Sequence, residues 1–116
     1  MKERILLVGE NSSLIATRAL LLSDWETETV NAFQAMECIE TQAFDLLIIC
    51  QSVPDVTAKN LIRAAKELKA PPQILLIRSN RSDEDFGVDV HTQDLWESPA
   101  WLRESAAEIL GRRIAP

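Results

Sequence analysis

From Phe44 to Cys50 the chain reads Phe-Asp-Leu-Leu-Ile-Ile-Cys, and it then breaks into Gln51, Ser52, Val53, Pro54 and Asp55. An apolar run without polar alternation, closed by turn chemistry, describes a strand covered on both faces, the habit of a central strand in a parallel sheet. Ile5, Leu6, Leu7 and Val8 repeat the pattern within Arg4 to Val8, and Ile74 to Ile77 does so again. Trp25 to Val30 instead alternates with Glu26 and Glu28, which suits a strand near a sheet edge.

Helical signals fill the intervals. Ser12 or Ser13 can cap a first helix with Leu14, Ile15, Leu21 and Leu22 at roughly helical spacing, ending near Ser23 and Asp24. Asn31 stands where a second cap is wanted, and Phe33, Met36 and Ile39 or Glu40 carry that helix to Gln42. After Pro54, a third helix starting at Asp55 or Thr57 puts Ala58, Leu61, Ile62, Ala65 and Leu68 on one stripe. Pro71 and Pro72 stop it. From Arg78 to Asp85 no apolar stripe is present, so any helix between the fourth and fifth strands is short or missing. The fifth strand is Val88 to Thr92 or Asp94 to Trp96. Ser98 followed by Pro99 opens a last helix carrying Trp101, Leu102, Ser105, Ile109 and Leu110, with Gly111 as its stop.

Strands alternating with helices imply an α/β fold with helices on both faces of a parallel sheet, because right-handed crossovers place them there. For five strands the expected architecture is a flavodoxin-like three-layer sandwich of order 2-1-3-4-5. Residues 1–116 are read as a single domain, since no repeat, low-complexity tract or linker divides them. A hydrophobic content of 47 % is enough for one core without disulfide or metal staples. The net charge of −6 repels phosphate backbones and anionic lipid surfaces, so neither nucleic acid nor membrane is an expected partner. Cys38 and Cys50 are the only cysteines, and no signal-like segment precedes the first strand. A cytoplasmic location with two free thiols is expected.

The strand that ends at Cys50 and runs into a Pro-Asp turn resembles the third strand of a response-regulator receiver domain of the two-component type. That resemblance implies a phospho-accepting aspartate at the strand end, an acidic pair after strand one to hold magnesium, a switch hydroxyl after strand four, and a lysine before the last helix. At the matching positions this sequence has Cys50 for the acceptor, Gly9 and Glu10 for the pair, Ile77 or, with a two-residue shift, Ser79 for the hydroxyl, and Ser98 for the lysine. A thiol cannot form an acyl phosphate, and magnesium asks for oxygen ligands. Two carboxylates about 5 Å apart repel by roughly 3 kcal/mol at an effective dielectric near 20, so exchanging two of them for glycine and cysteine relieves a cost that a working receiver carries.

The expectation is therefore a degenerate receiver: not an enzyme, without cofactor or metal, with Gly9, Glu10, Cys50, Ser79 and Ser98 marking a vestigial phosphorylation pocket. Its expected role is a phosphorylation-independent protein-interaction module in phosphorelay signalling, partnered by a histidine kinase, an output protein or a second copy of itself. Trp96 and Trp101 flank the face that receivers use for dimerisation and docking; the competing reading is that both cover a core edge. Two alternatives stand beside this. One is a receiver phosphorylated at an unorthodox residue, Asp55 being the nearest, although its loop is expected to point away from the pocket. The other is a small flavodoxin-like ligand-binding or redox-sensing protein that uses Cys50, against which no basic neighbour is visible in sequence. His91, the sole histidine, is read as a solvated loop or strand-end residue.

Overall fold

Five strands form one sheet in the computed structural model, which describes residues 3–78, 90–94 and 100–114. They are β1 (Arg4–Val8), β2 (Glu26–Val30), β3 (Leu46–Ile49), β4 (Gln73–Arg78) and β5 (Val90–Asp94), in the order β2-β1-β3-β4-β5. Every neighbouring pair is parallel, with Ile5 beside Leu46, Leu46 beside Gln73, and Leu75 beside His91. The described helices are α1 (Ser12–Leu21), α2 (Ala32–Thr41), α3 (Asp55–Lys66) and α4 (Ala100–Ile114).

Because successive strand residues point to opposite faces, the three apolar runs supply two cores at once. Ile5, Leu7, Leu46, Ile48, Cys50, Leu75 and Ile77 face α1 and α4, meeting Ile15, Leu22, Leu102, Ala106 and Leu110. Leu6, Val8, Leu47, Ile49, Ile74 and Leu76 face α2 and α3, meeting Ala35, Ile39, Ala58, Leu61, Ile62 and Ala65. Most of these side chains are fully buried, and each buried Leu or Ile is worth about 1.5–3 kcal/mol. The edge strand β2 buries no residue completely and shows Glu26 and Glu28 to solvent, a charged edge that resists pairing with another sheet.

Several local readings shift. α1 is capped by Asn11, whose Oδ1 accepts from the Leu14 N–H at 3.1 Å, rather than by Ser12 or Ser13; both serines lie inside the helix because Asn11 supplies the acceptor one residue earlier. Asn31 caps α2 as expected, in a reciprocal box with Gln34. Phe33 is 90 % exposed, not part of the α2 stripe, because Ala35 and Ile39, four apart, define the buried side. β5 overlaps both alternatives, sharing residues 90–92 with the first and Asp94 with the second. α4 runs through Gly111 to Ile114. An added Cβ at Gly111 meets nothing within 4 Å, and the roughly 1 kcal/mol that glycine costs a helix is offset by the packing of Leu102, Ala106 and Leu110. The expected short helix after β4, together with Ser79, Trp96, Ser98 and Pro99, lies outside the described residues.

Candidate functional site

The carboxyl ends of parallel strands are where open α/β sheets place their chemistry, and Gly9 after β1 and Cys50 after β3 meet there. The Cys50 N–H donates to the Val8 carbonyl at 2.8 Å and the Gly9 N–H to the Val30 carbonyl at 3.1 Å, so both residues extend the sheet ladder before their loops turn away. A Cβ built on Gly9 would stand 3.0 Å from the Ile15 side chain and 3.2 Å from the Cys50 Cβ. A side chain at this position would thus press on Ile15 from the first turn of α1, which would have to give by a few tenths of an ångström.

Glu10, the one acid retained from the expected pair, is directed elsewhere. Its Oε1 accepts from the Ala32 N–H at 3.1 Å, at the start of α2, where a carboxylate satisfies an orphan donor and complements the helix dipole. Its backbone N–H donates to the Ser52 hydroxyl at 2.8 Å, tying the loop after β1 to the loop after β3.

Cys50 is 1 % exposed. Burial pushes its thiol up from the ordinary value, while the positive charge of Arg18 pulls the other way without reversing the shift. The basic neighbour that the sequence hides is therefore present. Arg18 is itself only 6 % exposed, and its Nη1 donates to Gln51 Oε1 at 2.8 Å. Among the described residues it has no carboxylate partner, which is uncommon, since buried charges are ordinarily paired. Its signal in sequence is the α1 stripe: Arg18 stands three residues after Ile15 and four before Leu22, on the same buried face.

A cleft of about 220 Å³ opens beside the acceptor position, lined by Cys50, Gln51, Val53, Asp55, Leu76, Ile77 and Arg78. Asp55, the first residue of α3, therefore lines this cleft together with Cys50, where its loop was expected to point away. Its Oδ1 lies 2.7 Å from Arg78 Nη1, an ion pair across the mouth between α3 and β4. Ile77, the ungapped match for the switch hydroxyl, is fully buried and apolar.

Trp101 is 7 % exposed and packs in the core facing α1 and α4. Its indole covers a core edge and leaves little surface for a partner face, the physical reason being that Trp101, Leu102, Ala106 and Ile109 lie on the side of α4 turned to the sheet. His91 sits within β5, half-buried, with Nε2 3.4 Å from Gln73 Oε1. Cys38 is half-buried on α2 and is not joined to Cys50.

Magnesium does not fit these side chains. The donor set at the matching positions is a buried thiol, a glycine and a glutamate bonded to a helix start. No cluster of three or more His, Cys, Asp or Glu residues suited to a metal occurs among the described residues, and none of the described helices is long and apolar enough to cross a membrane.

No protein-family model and no curated protein matches the chain. Solved structures do. A CheY-like response regulator receiver domain from Methanospirillum hungatei superposes with a TM-score of 0.81 at 22 % identity, covering 97 % of each chain. The chemotaxis response regulator CheY4 of Vibrio cholerae gives 0.77 at 20 % identity, over 94 % of this chain and 99 % of that one. The chain has the receiver fold. The receiver domain of a sensor histidine kinase from Pseudomonas aeruginosa, with magnesium coordinated in its active-site cleft, matches at 0.75 and 16 % identity over 96 % of this chain and 99 % of that one. At these identities the likeness is one of fold, and the chemistry rests on the side chains above.

Proposed function

We propose that this chain is a degenerate receiver domain of two-component signalling, a protein-interaction module whose state does not depend on phosphorylation. The observation that carries the reading is the acceptor position: a buried thiol, held neutral by burial and set beside Arg18, in a receiver fold. Phosphoryl transfer needs an acceptor oxygen and a cation to neutralise developing charge. Cys50 offers no such oxygen, and the remaining acid of the pair, Glu10, is bound to the Ala32 N–H. The sheet carries a buried core on each face, so surfaces that recognise a protein partner can outlast the loss of the pocket. The partner is a histidine kinase, an output protein or a second copy of the chain.

Incubating the protein with acetyl phosphate and magnesium, then recording intact mass, is the direct test. The expected result is no phosphoryl adduct under conditions that label an ordinary receiver; an adduct on any carboxylate, Asp55 included, sinks the proposal. Sedimentation with and without a candidate kinase tests the interaction arm, the expected complex being the same with and without acetyl phosphate.

The redox-sensing alternative draws no support from the pocket. A reactive thiol is exposed and has its pKa lowered, whereas Cys50 is buried with its pKa raised.

A further inference from the structure

An ordinary receiver pocket is an acidic cluster that borrows its cation from solvent. Here the polarity at position 50 is reversed: Cys50 lies in the core that meets Ile15 and Leu22 of α1, and Arg18, buried between those two on the same face, donates to the side chain of the adjacent Gln51 and has, among the described residues, no anion. Guanidinium stays charged in proteins, and its fork shape suits a carboxylate better than the amide oxygen of Gln51.

We propose that Arg18 is the resident cation of this pocket, taking from within the chain the place of a divalent metal beside position 50, so that the site has no use for the metal even when an acid is placed there. The inference rests on the degenerate-receiver reading and names the residue that keeps the pocket in that state. Arg18 acts here as a positioning residue, through position 50 and Gln51.

The other charged groups around position 50 do not supply that field. Glu10, after β1, is bonded to the start of α2. Asp55 on α3 and Arg78 on β4 pair with each other across the cleft. On α4, Arg103 pairs with Asp24, and Glu104 and Glu108 are exposed.

The test places a carboxylate at position 50 with and without Arg18. Cys50→Asp and the double variant Arg18→Met/Cys50→Asp are melted from about pH 7 down to about pH 4, the range in which a carboxyl titrates. With Arg18 present, the new carboxylate is favoured in the folded state, so its folded pKa lies below the unfolded one and stability is lost as pH falls. Without Arg18, burial disfavours the charged form, the folded pKa is raised, and stability is gained over the same fall. The expected outcome is this reversal of slope, with melting temperatures diverging by about 5 °C or more at neutral pH. Parallel profiles overturn the proposal. So does a Cys50→Asp protein that fails to fold while Cys50→Ser folds, since compensation would then be missing.

A second measurement uses the native thiol in a Cys38→Ser background. Thiolate absorbance is followed as pH rises, and Arg18→Met is expected to move the onset of Cys50 ionisation upward; an unchanged onset counts against the proposal. In the metal arm, Cys50→Asp is titrated with magnesium and is expected to show no saturable change in melting temperature. A saturable millimolar response there overturns the inference. Phosphoryl labelling of the wild-type chain would overturn the receiver reading instead, leaving the Arg18 coupling to be judged by its own profiles.

Discussion

The two ends of the sheet treat an arginine in opposite ways. At the foot, Arg4 is surrounded by partners: its guanidinium donates to the Ala43 carbonyl at 3.2 Å and to Gln42 Oε1 at 2.9 Å, lies 3.7 Å from Glu26 Oε2, and sits 5.0 Å over the Phe44 ring. The Arg4 backbone N–H donates to Asp45 Oδ2 at 2.8 Å. At the mouth, Arg18 is buried with a neutral amide and a neutral thiol. The foot is built for stability, with each charge balanced and partly wet. The mouth carries a buried charge that has, among the described residues, no anion, a cost that folds more often accept at functional sites than elsewhere.

That contrast can be broken most severely at Gly9. Gly9→Asp adds a Cβ 3.0 Å from the Ile15 side chain, which must give way to admit it, so we expect a loss of about 1–3 kcal/mol in chemical denaturation. A loss below about 0.5 kcal/mol would mean that the mouth is open rather than filled. At the foot, Asp45→Ala removes the acceptor of the part-buried Arg4 N–H and is expected to cost about 1–2 kcal/mol. If the foot variant proves the more damaging, the ranking of the two ends is wrong.

A pH dependence sharpens the comparison further. Burial raises the Cys50 thiol, and Cys38 is raised as well, by burial and then by Glu28 and Glu37. The unfolded thiols ionise first. Their contribution to stability is whole below the ordinary thiol value and is lost as pH climbs through the raised folded values. Cys50→Ser should remove part of this alkaline loss, read as a smaller fall in melting temperature between about pH 8 and about pH 10; an identical fall would place the whole effect at Cys38. The smallest effect is expected for Glu26→Ala. It removes an exposed partner of Arg4 at 3.7 Å, worth about 0.2–0.5 kcal/mol, and added salt should erase it.

Much of the fold was legible because its signals are local. The unbroken runs at residues 5–8, 46–49 and 74–77 read as strands covered twice, and Asn31 marks its own helix start. The misplaced details have local causes too. Asn11, Ser12 and Ser13 are all competent caps, and a glycine such as Gly111 stops a helix only if the chain turns there. In the site, a glycine at position 9 and a cysteine at position 50 were visible as residue identities, while the directions of the side chains around them were not. Glu10 turning to Ala32, Asp55 entering the cleft beside Arg78, and Trp101 turning inward depend on how helices settle on the sheet.

The amino-acid order by itself determined the parallel sheet, its strand sequence and the absence of a phosphoryl-accepting carboxylate at Cys50, since hydrophobic period and side-chain chemistry are properties of the chain alone. Tertiary structure decided the electrostatics of that position. Arg18 and Gln51 stand 33 residues apart in the chain, and only the packing of α1 against β1 and β3 brings a guanidinium to the sulfur of Cys50, because field strength depends on distance and burial in space.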